Sequence, residues 1–304
     1  MLLMSVLVAA AIGTAYTTPA YEVAVDRNVT YATAEGYYTH ASDNPKESLP
    51  QIAFRPARLK PLPLEMDIYR PKDDSTATRP LLLMMHGGSF LFGNKGEAGQ
   101  TGWCEYFASL GYVAVSIDYR LGWRATKKDF RQAEQRALED AESALQYLLG
   151  RKDLRIDPQR IFVAGTSAGA MTALGLAYGT AGEAPPKRDF RIRAVANLWG
   201  SVHDLSVLER ASIPILSFQS VKDPVMPYEA GYPVPKLHLL PRILSDPMYG
   251  THTVDEKAKS LGIKTEHHPC PEPLHRLHLD KEGRYTERFY EIRERMAAFF
   301  AECM

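Results

Sequence analysis

Neither charge predominates in this chain of 304 residues: Lys plus Arg and Asp plus Glu both number 36. No long block of like charge occurs either. A nucleic-acid partner would want a basic stripe, so none is expected. Cysteine is scarce. Cys104, Cys270 and Cys303 are the only three, and they show no CxxC spacing. They cannot build a disulfide framework, although one bridge with one thiol left over stays open. No repeat, low-complexity tract or linker divides the chain. The apolar run at the start, roughly Leu2 to Ile12, is too short to span a bilayer, so no stable membrane span is expected.

That run suits the h-region of a secretory signal instead. No charged side chain precedes Glu22, and small residues follow the run. Cleavage after Ala15 or Ala20 fits, and no cysteine offers a lipoprotein acylation site. The expectation is a signal peptide over residues 1–20 and a secreted or periplasmic protein. The missing Lys or Arg before the run leaves the alternative of a buried first strand or tail in a cytoplasmic protein. "NVT" at Asn28 matches a glycosylation acceptor, which matters only in a eukaryotic secretory pathway.

Past residue 20 the hydrophobic pattern changes. "RPLLLMMHGG" (79–88), "GYVAVSIDYR" (111–120), "RIFVAG" (160–165), "IRAVANLWG" (192–200) and "IPILSFQS" (213–220) are continuous apolar runs. Runs of this length suit strands buried on both faces of a parallel sheet. "PLEMDIYRP" (63–71) alternates and has Pro at both ends, as an edge strand would. Helical patterns lie between: 97–110, 127–150, 254–262 and 286–304. In the second, Ala133, Ala137, Asp140, Ala144, Tyr147 and Leu148 recur at helical spacing, and Gly150 stands at the stop. In the last, Thr286 is the expected N-cap, with Phe289, Ile292, Met296 and Phe299 on one face. Alternating strand and helix predicts an α/β fold, a mostly parallel central sheet with helices on both faces. One domain over 21–304 is expected. Residues 223–250, with six prolines, break the alternation and read as a long irregular insert.

Three features carry chemistry. "GTSAG" (165–169) follows one strand and precedes a helix-forming run. Roughly one chain of this length in ten would match Gly-x-Ser-x-Gly by chance, so the strand–turn–helix context decides. Ser167 at the tip needs a strained backbone, and Gly165 and Gly169 remove Cβ atoms that would clash. The helix after it aims its first amides at developing negative charge. "HGGSF" (86–90) ends another strand. Its backbone can approach a ligand closely, so Gly88, Ser89 and Ala168 are the expected oxyanion donors through their main chain. The bland reading of the loop is a tight turn. An activated serine needs a base, and the base an orienting acid. Asp223, three residues past the run ending at Ser220, is the first choice for the acid. Asp204 and Asp246 are the others, and capping or turn formation is the ordinary role of each.

The order "HGGSF", "DYRLG" (118–122), "GTSAG", "DPVMPY", then a histidine before a terminal helix resembles the α/β-hydrolase fold. Within it the chain is similar to the short esterase branch that shares an HGG-type loop with carboxylesterases and hormone-sensitive-lipase-like enzymes, bacterial carbohydrate-ester, feruloyl or acetyl esterases among them. The resemblance spans nearly all of 60–304. It implies Ser167 as nucleophile, Asp223 as acid, and the loop with Ala168 as oxyanion hole. Two departures stand out: Ser89 replaces the usual third glycine, and the segment after Asp223 is long.

The base in this fold sits after the last strand, expected from about Ile263 to His268. "EHHPCPEPLHRLH" (266–278) holds four of the chain's nine histidines. His275 is the expected base, on a loop whose prolines limit its motion. His278 is second, and His267 or His268 third. A metal site built on His275 and His278 with Cys270 or His268 is the competing reading, but no helix orders that spacing. No cofactor or metal is expected. The expected activity is ester hydrolysis through an acyl-enzyme, on a small-molecule or carbohydrate ester such as an acetyl or feruloyl ester. Trp103, Trp123, Tyr228 and Tyr232 are candidate walls for such a cleft, or else core residues. A serine peptidase of the same fold, and an inactive hydrolase-like binding protein, are the alternatives.

Overall fold

The computed structural model describes residues 16–40, 58–237 and 239–304. The apolar run of the expected signal peptide lies outside the described residues. Tyr16 already packs on the body: its ring edge meets Tyr112 at 5.5 Å, and its hydroxyl accepts from Arg160 at 3.2 Å.

Eight strands form one sheet: β1 (Val23–Gly36), β2 (Lys60–Pro71), β3 (Arg79–Met85), β4 (Val113–Ile117), β5 (Ile156–Thr166), β6 (Ile192–Leu198), β7 (Ile215–Ser220) and β10 (Thr265–Cys270). Their spatial order is β1-β2-β4-β3-β5-β6-β7-β10. The first two pairings are antiparallel. All those from β4 to β10 are parallel. Two-residue strands β8 (Ala230–Gly231) and β9 (Met248–Tyr249) pair with each other in the insert.

The unbroken apolar runs have their explanation in the two cores. Leu81, Leu83 and Met85 of β3 point into one hydrophobic cluster. Leu82 and Met84 point into the other. Helices α2 (Lys127–Gly150) and α3 (Ala168–Tyr178) cover the first face. Helices α1 (Ala98–Ser109) and α6 (Glu287–Glu302) cover the second, burying Trp103 and Phe107 against Phe289, Ile292, Met296 and Phe299. Thr286 caps α6, its hydroxyl accepting from Phe289 N at 3.4 Å.

Three expectations need correction. β2 is not an edge strand, because β1 pairs along its outer side. Yet β4 covers only Met66–Tyr69, so Pro61, Pro63 and Pro71 stand where β2 has a single neighbour. Proline, lacking an N–H, is tolerated there. The last strand runs two residues later than expected, so His267 and His268 lie mid-strand, opposite Ser217 and Phe218. The 223–250 insert is not irregular throughout: it holds β8, β9 and the short helix α4 (Leu240–Leu244). Helix α5 (Thr251–Ser260) follows it.

The order β4-β3-β5 marks where successive connections run in opposite directions along the sheet. Parallel α/β sheets place their sites at the carboxyl ends of strands beside such a reversal. Those ends here are the glycine loop after β3 and Ser167 after β5.

Candidate active site

Ser167 sits between β5 and α3 with φ 52° and ψ −118°. Its N–H donates to Leu198 O at 2.9 Å. The glycines on either side are required by space. A Cβ on Gly165 would collide with Gly169 O, and one on Gly169 would collide with the carbonyls of Met85 and His86. Close packing of α3 on the end of β3 thus holds the serine in a left-handed conformation that costs on the order of 1–3 kcal/mol.

Asp223 and His275 complete a chain of contacts. His275 Nε2 lies 2.9 Å from Ser167 Oγ. His275 Nδ1 lies 3.0 Å and 2.9 Å from the two carboxylate oxygens of Asp223. A carboxylate only accepts, so Nδ1 carries the proton and donates. Nε2 of the neutral ring is then free to accept from the serine hydroxyl. The side chain of Asp223 is fully buried. Two main-chain donors also hold it, Val225 N at 2.8 Å and Met226 N at 3.0 Å, both to Oδ1. Pro224 lies between Asp223 and these two donors.

The loop after β3 wraps the serine. Gly88, Ser89 and Phe90 take φ values of 108°, 55° and 58°. Gly88 O accepts from Leu91 N at 2.9 Å and Phe92 N at 3.1 Å, closing a tight turn. Among the described residues the N–H groups of Gly88 and Ser89 meet no acceptor. Ala168 opens α3, so its N–H has no partner within the helix. Trp123 Nε1 donates to Ser89 O at 2.8 Å and braces the loop. Beneath it, His86 stacks on Tyr119 at 4.2 Å, and burial lowers its pKa.

Gly87 was not singled out from sequence, yet a Cβ there would stand 3.3 Å from Ser167 Cβ. Trp199 was missed as well. It follows β6 at φ 50°, and its ring meets that of His275 edge-on at 6.4 Å.

The remaining candidates are engaged elsewhere. His278 is buried between Trp103 at 5.0 Å and Trp199 at 5.2 Å. Burial pushes its pKa down to about 3. His267 Nε2 lies 3.2 Å from Thr251 Oγ1. His268 stacks on Phe218 and pairs with Glu266 at 2.6 Å. Asp204 caps the turn at Leu205–Arg210, accepting from Ser206 N. Asp246 pairs with Lys127 at 3.3 Å and Arg131 at 3.1 Å. Cys270 is buried under α6, and all three cysteines are free, so the open bridge is not formed. Among the described residues no group of three or more His, Cys, Asp or Glu is placed to hold a metal ion. Trp103 is fully buried in the core and walls no cleft. Tyr228 stacks on His252 and His267, and Tyr232 lies under Arg242.

A mostly parallel sheet with a serine turn between strand and helix at its topological reversal defines an α/β hydrolase. The chain belongs to the BD-FAE family, whose model matches residues 66–226, just over half of it. In structure it is similar to esterase B from Lactobacillus rhamnosis inhibited by a tributyrin phosphonate. That chain is 15% identical, with TM-score 0.57, over 98% of this chain and 92% of that one. It is also similar to esterase 2 of Thermogutta terrifontis, 21% identical with TM-score 0.54, over 78% of this chain and 88% of that one. In sequence it resembles the probable carboxylic ester hydrolase LipM of Mycobacterium tuberculosis, 31% identical over 52% of this chain and 37% of LipM. The non-reducing polyketide synthase stbA of Stachybotrys bisbyi is 34% identical over 40% of this chain. The match spans only 6% of that synthase. No helix among the described residues is long and apolar enough to cross a membrane.

Proposed function

We propose that this chain is a serine hydrolase of carboxylic esters that works through an acyl-enzyme. The observation that carries it is the contact of His275 Nε2 with Ser167 Oγ, backed by Asp223 on Nδ1. Ser167 attacks the ester carbonyl while His275 takes its proton. The oxyanion is met by the main-chain N–H groups of Gly88, Ser89 and Ala168. His275 then protonates the leaving alcohol, and water releases the acyl group with His275 again as base. Asp223 holds the ring in the tautomer that leaves Nε2 open and stabilises the imidazolium that forms.

Short acyl esters are the substrate class best supported. The Thermogutta terrifontis relative is recorded with propionate bound, and the Lactobacillus rhamnosis relative with a C4 phosphonate. Acetyl or feruloyl esters of carbohydrates are the specific form we favour. Ser167→Ala should abolish hydrolysis of p-nitrophenyl acetate and butyrate and prevent fluorophosphonate labelling, with the melting temperature kept. Wild-type turnover by that variant would end the serine mechanism. Acetylated xylan and feruloyl esters, run beside triacylglycerols, test the carbohydrate assignment, which fails if neither of the first two loses its acyl group.

A further inference from the structure

Gln219, the fifth residue of β7, has no part in the triad, yet its amide joins three separate segments around the acid. Its Nε2 lies 3.3 Å from Asp223 Oδ2. It also lies 3.2 Å from Met226 O and 3.2 Å from Pro227 O. Its Oε1 accepts from Thr251 N at 3.1 Å and from Thr251 Oγ1 at 2.9 Å. The orientation of the amide follows from the partners. A carboxylate and two carbonyls only accept, so they must face the NH₂. A backbone N–H only donates, so it must face the oxygen. The side chain is fully buried.

We propose that Gln219 is a positioning residue for the acid of the triad. On the serine-hydrolase reading, Asp223 must keep its carboxylate turned toward His275 Nδ1. Val225 N and Met226 N both bind Oδ1, so apart from His275 itself the loop puts no donor on Oδ2. Gln219 adds a second donor on Oδ2, one that does not come from the base, and so helps to fix the plane. It also binds the turn that follows, Met226 and Pro227, and ties it to the start of α5 through Thr251. Strand, acid loop and helix are thereby locked together. Thr251 Oγ1 gives its proton to Gln219, so its oxygen must accept from His267 Nε2 at 3.2 Å. A polar chain therefore runs from His267 to Ser167 in which each donor has an acceptor.

Asp223 of the variant Gln219→Met keeps its loop donors and His275 but loses the amide donor on Oδ2. A carboxylate less neutralised by donors favours the protonated imidazole beside it. Three outcomes are expected. The kcat for p-nitrophenyl acetate falls about 10- to 100-fold, the range seen when the hydrogen-bonded partner that orients a metal-ligating side chain is removed. KM stays within about 2-fold, because the amide touches no substrate. The acid limb of the kcat/KM profile moves to higher pH. Thr251→Val removes the hydroxyl donor to Oε1 and the acceptor for His267 but keeps Thr251 N on Oε1, so it should shift the same limb less, and Thr251→Ser should restore it. A limb and kcat unchanged in Gln219→Met, or a fall in kcat with the limb unmoved, would overturn the proposal. Should Gln219→Met not fold, an unmoved limb in Thr251→Val overturns it. The hydrolase reading is judged separately, by the loss of labelling in Ser167→Ala.

Discussion

His275 reaches Ser167 through one ring nitrogen and Asp223 through the other, both at 2.9 Å, while His278, three residues on, touches neither. The loop after β10 thus carries two histidines in different chemical settings. Replacing His275 with Ala should lower kcat by about 10³-fold or more, as removal of a triad member does elsewhere. His278→Phe preserves the stack between Trp103 and Trp199 and should keep kcat within about 10-fold of wild type. Steady-state kinetics of the two variants decides between them. A larger loss in the His278 variant would move the base.

His278 predicts an acid weakness of the fold instead. Its pKa is about 3 in the folded chain, against an ordinary value of 6.5, because burial penalises the charged ring. Above pH 6.5 both folded and unfolded states hold it neutral, and it adds no pH dependence. Between 6.5 and 3 the unfolded chain binds a proton that the folded chain refuses. Stability therefore falls as pH falls, by at most about 1.4 kcal/mol per unit from this group. Denaturant titrations at pH 7 and pH 5 should show a smaller difference for His278→Phe than for wild type. Equal differences would mean that His278 is not held neutral.

Much of this arrangement was legible because local sequence states it. The strands β3 to β7 are buried on both faces, so their apolar runs are unbroken. Gly165 and Gly169 announce the serine turn, since a side chain at either would meet backbone. His275 was reachable only through the topology, as the histidine after the last strand. Strand β1 was not legible. Its residues are mostly exposed or half-exposed, and its pairing with β2 carries a register shift between Asp26 and Val29 that breaks the period of two. Trp199 and Gln219 were illegible for another reason. Each acts on groups distant in sequence, such as His275 and Thr251, and nothing in the flanking residues marks it.

Asp140 interrupts the apolar stripe of α2 for a structural purpose. It accepts from Arg120 Nε at 2.8 Å and from Arg120 N at 2.7 Å, and it is almost fully buried. Burial raises its pKa, and the guanidinium opposes that rise. Asp140→Ala leaves Arg120 charged, buried and without this partner. Removing one member of such a pair costs about 3–5 kcal/mol. Arg120 also donates to Glu35 O at 3.1 Å, so the loss should loosen β1 from the body. Hydrogen exchange should show faster opening over 23–36, together with the drop in stability. Unchanged protection there would show that Arg120 does not hold the strand.

Gly169 offers the sharpest test of how the serine turn is held. A methyl group at this position meets the carbonyl oxygens of Met85 and His86, both backbone and both at the root of the glycine loop after β3. Neither can swing aside as a flexible side chain would. Gly169→Ala must push α3 away from β3 and carry Ser167 and Ala168 with it. The same shift widens the gap to Gly88 and Ser89, so on the proposed mechanism the serine and its oxyanion donors fail together. We expect a stability loss above about 4 kcal/mol, the range that marks overpacking against fixed atoms. Any folded fraction should label with a fluorophosphonate at least about 100-fold more slowly, the penalty of losing one oxyanion donor. Gly175→Ala is the control: it lies in the same helix, and an added Cβ there finds only Leu138 and Thr180 side chains at 3.5 Å or more. Its melting temperature and labelling rate should match wild type. If Gly169→Ala matches it too, the packing of α3 on β3 does not set the geometry of the serine.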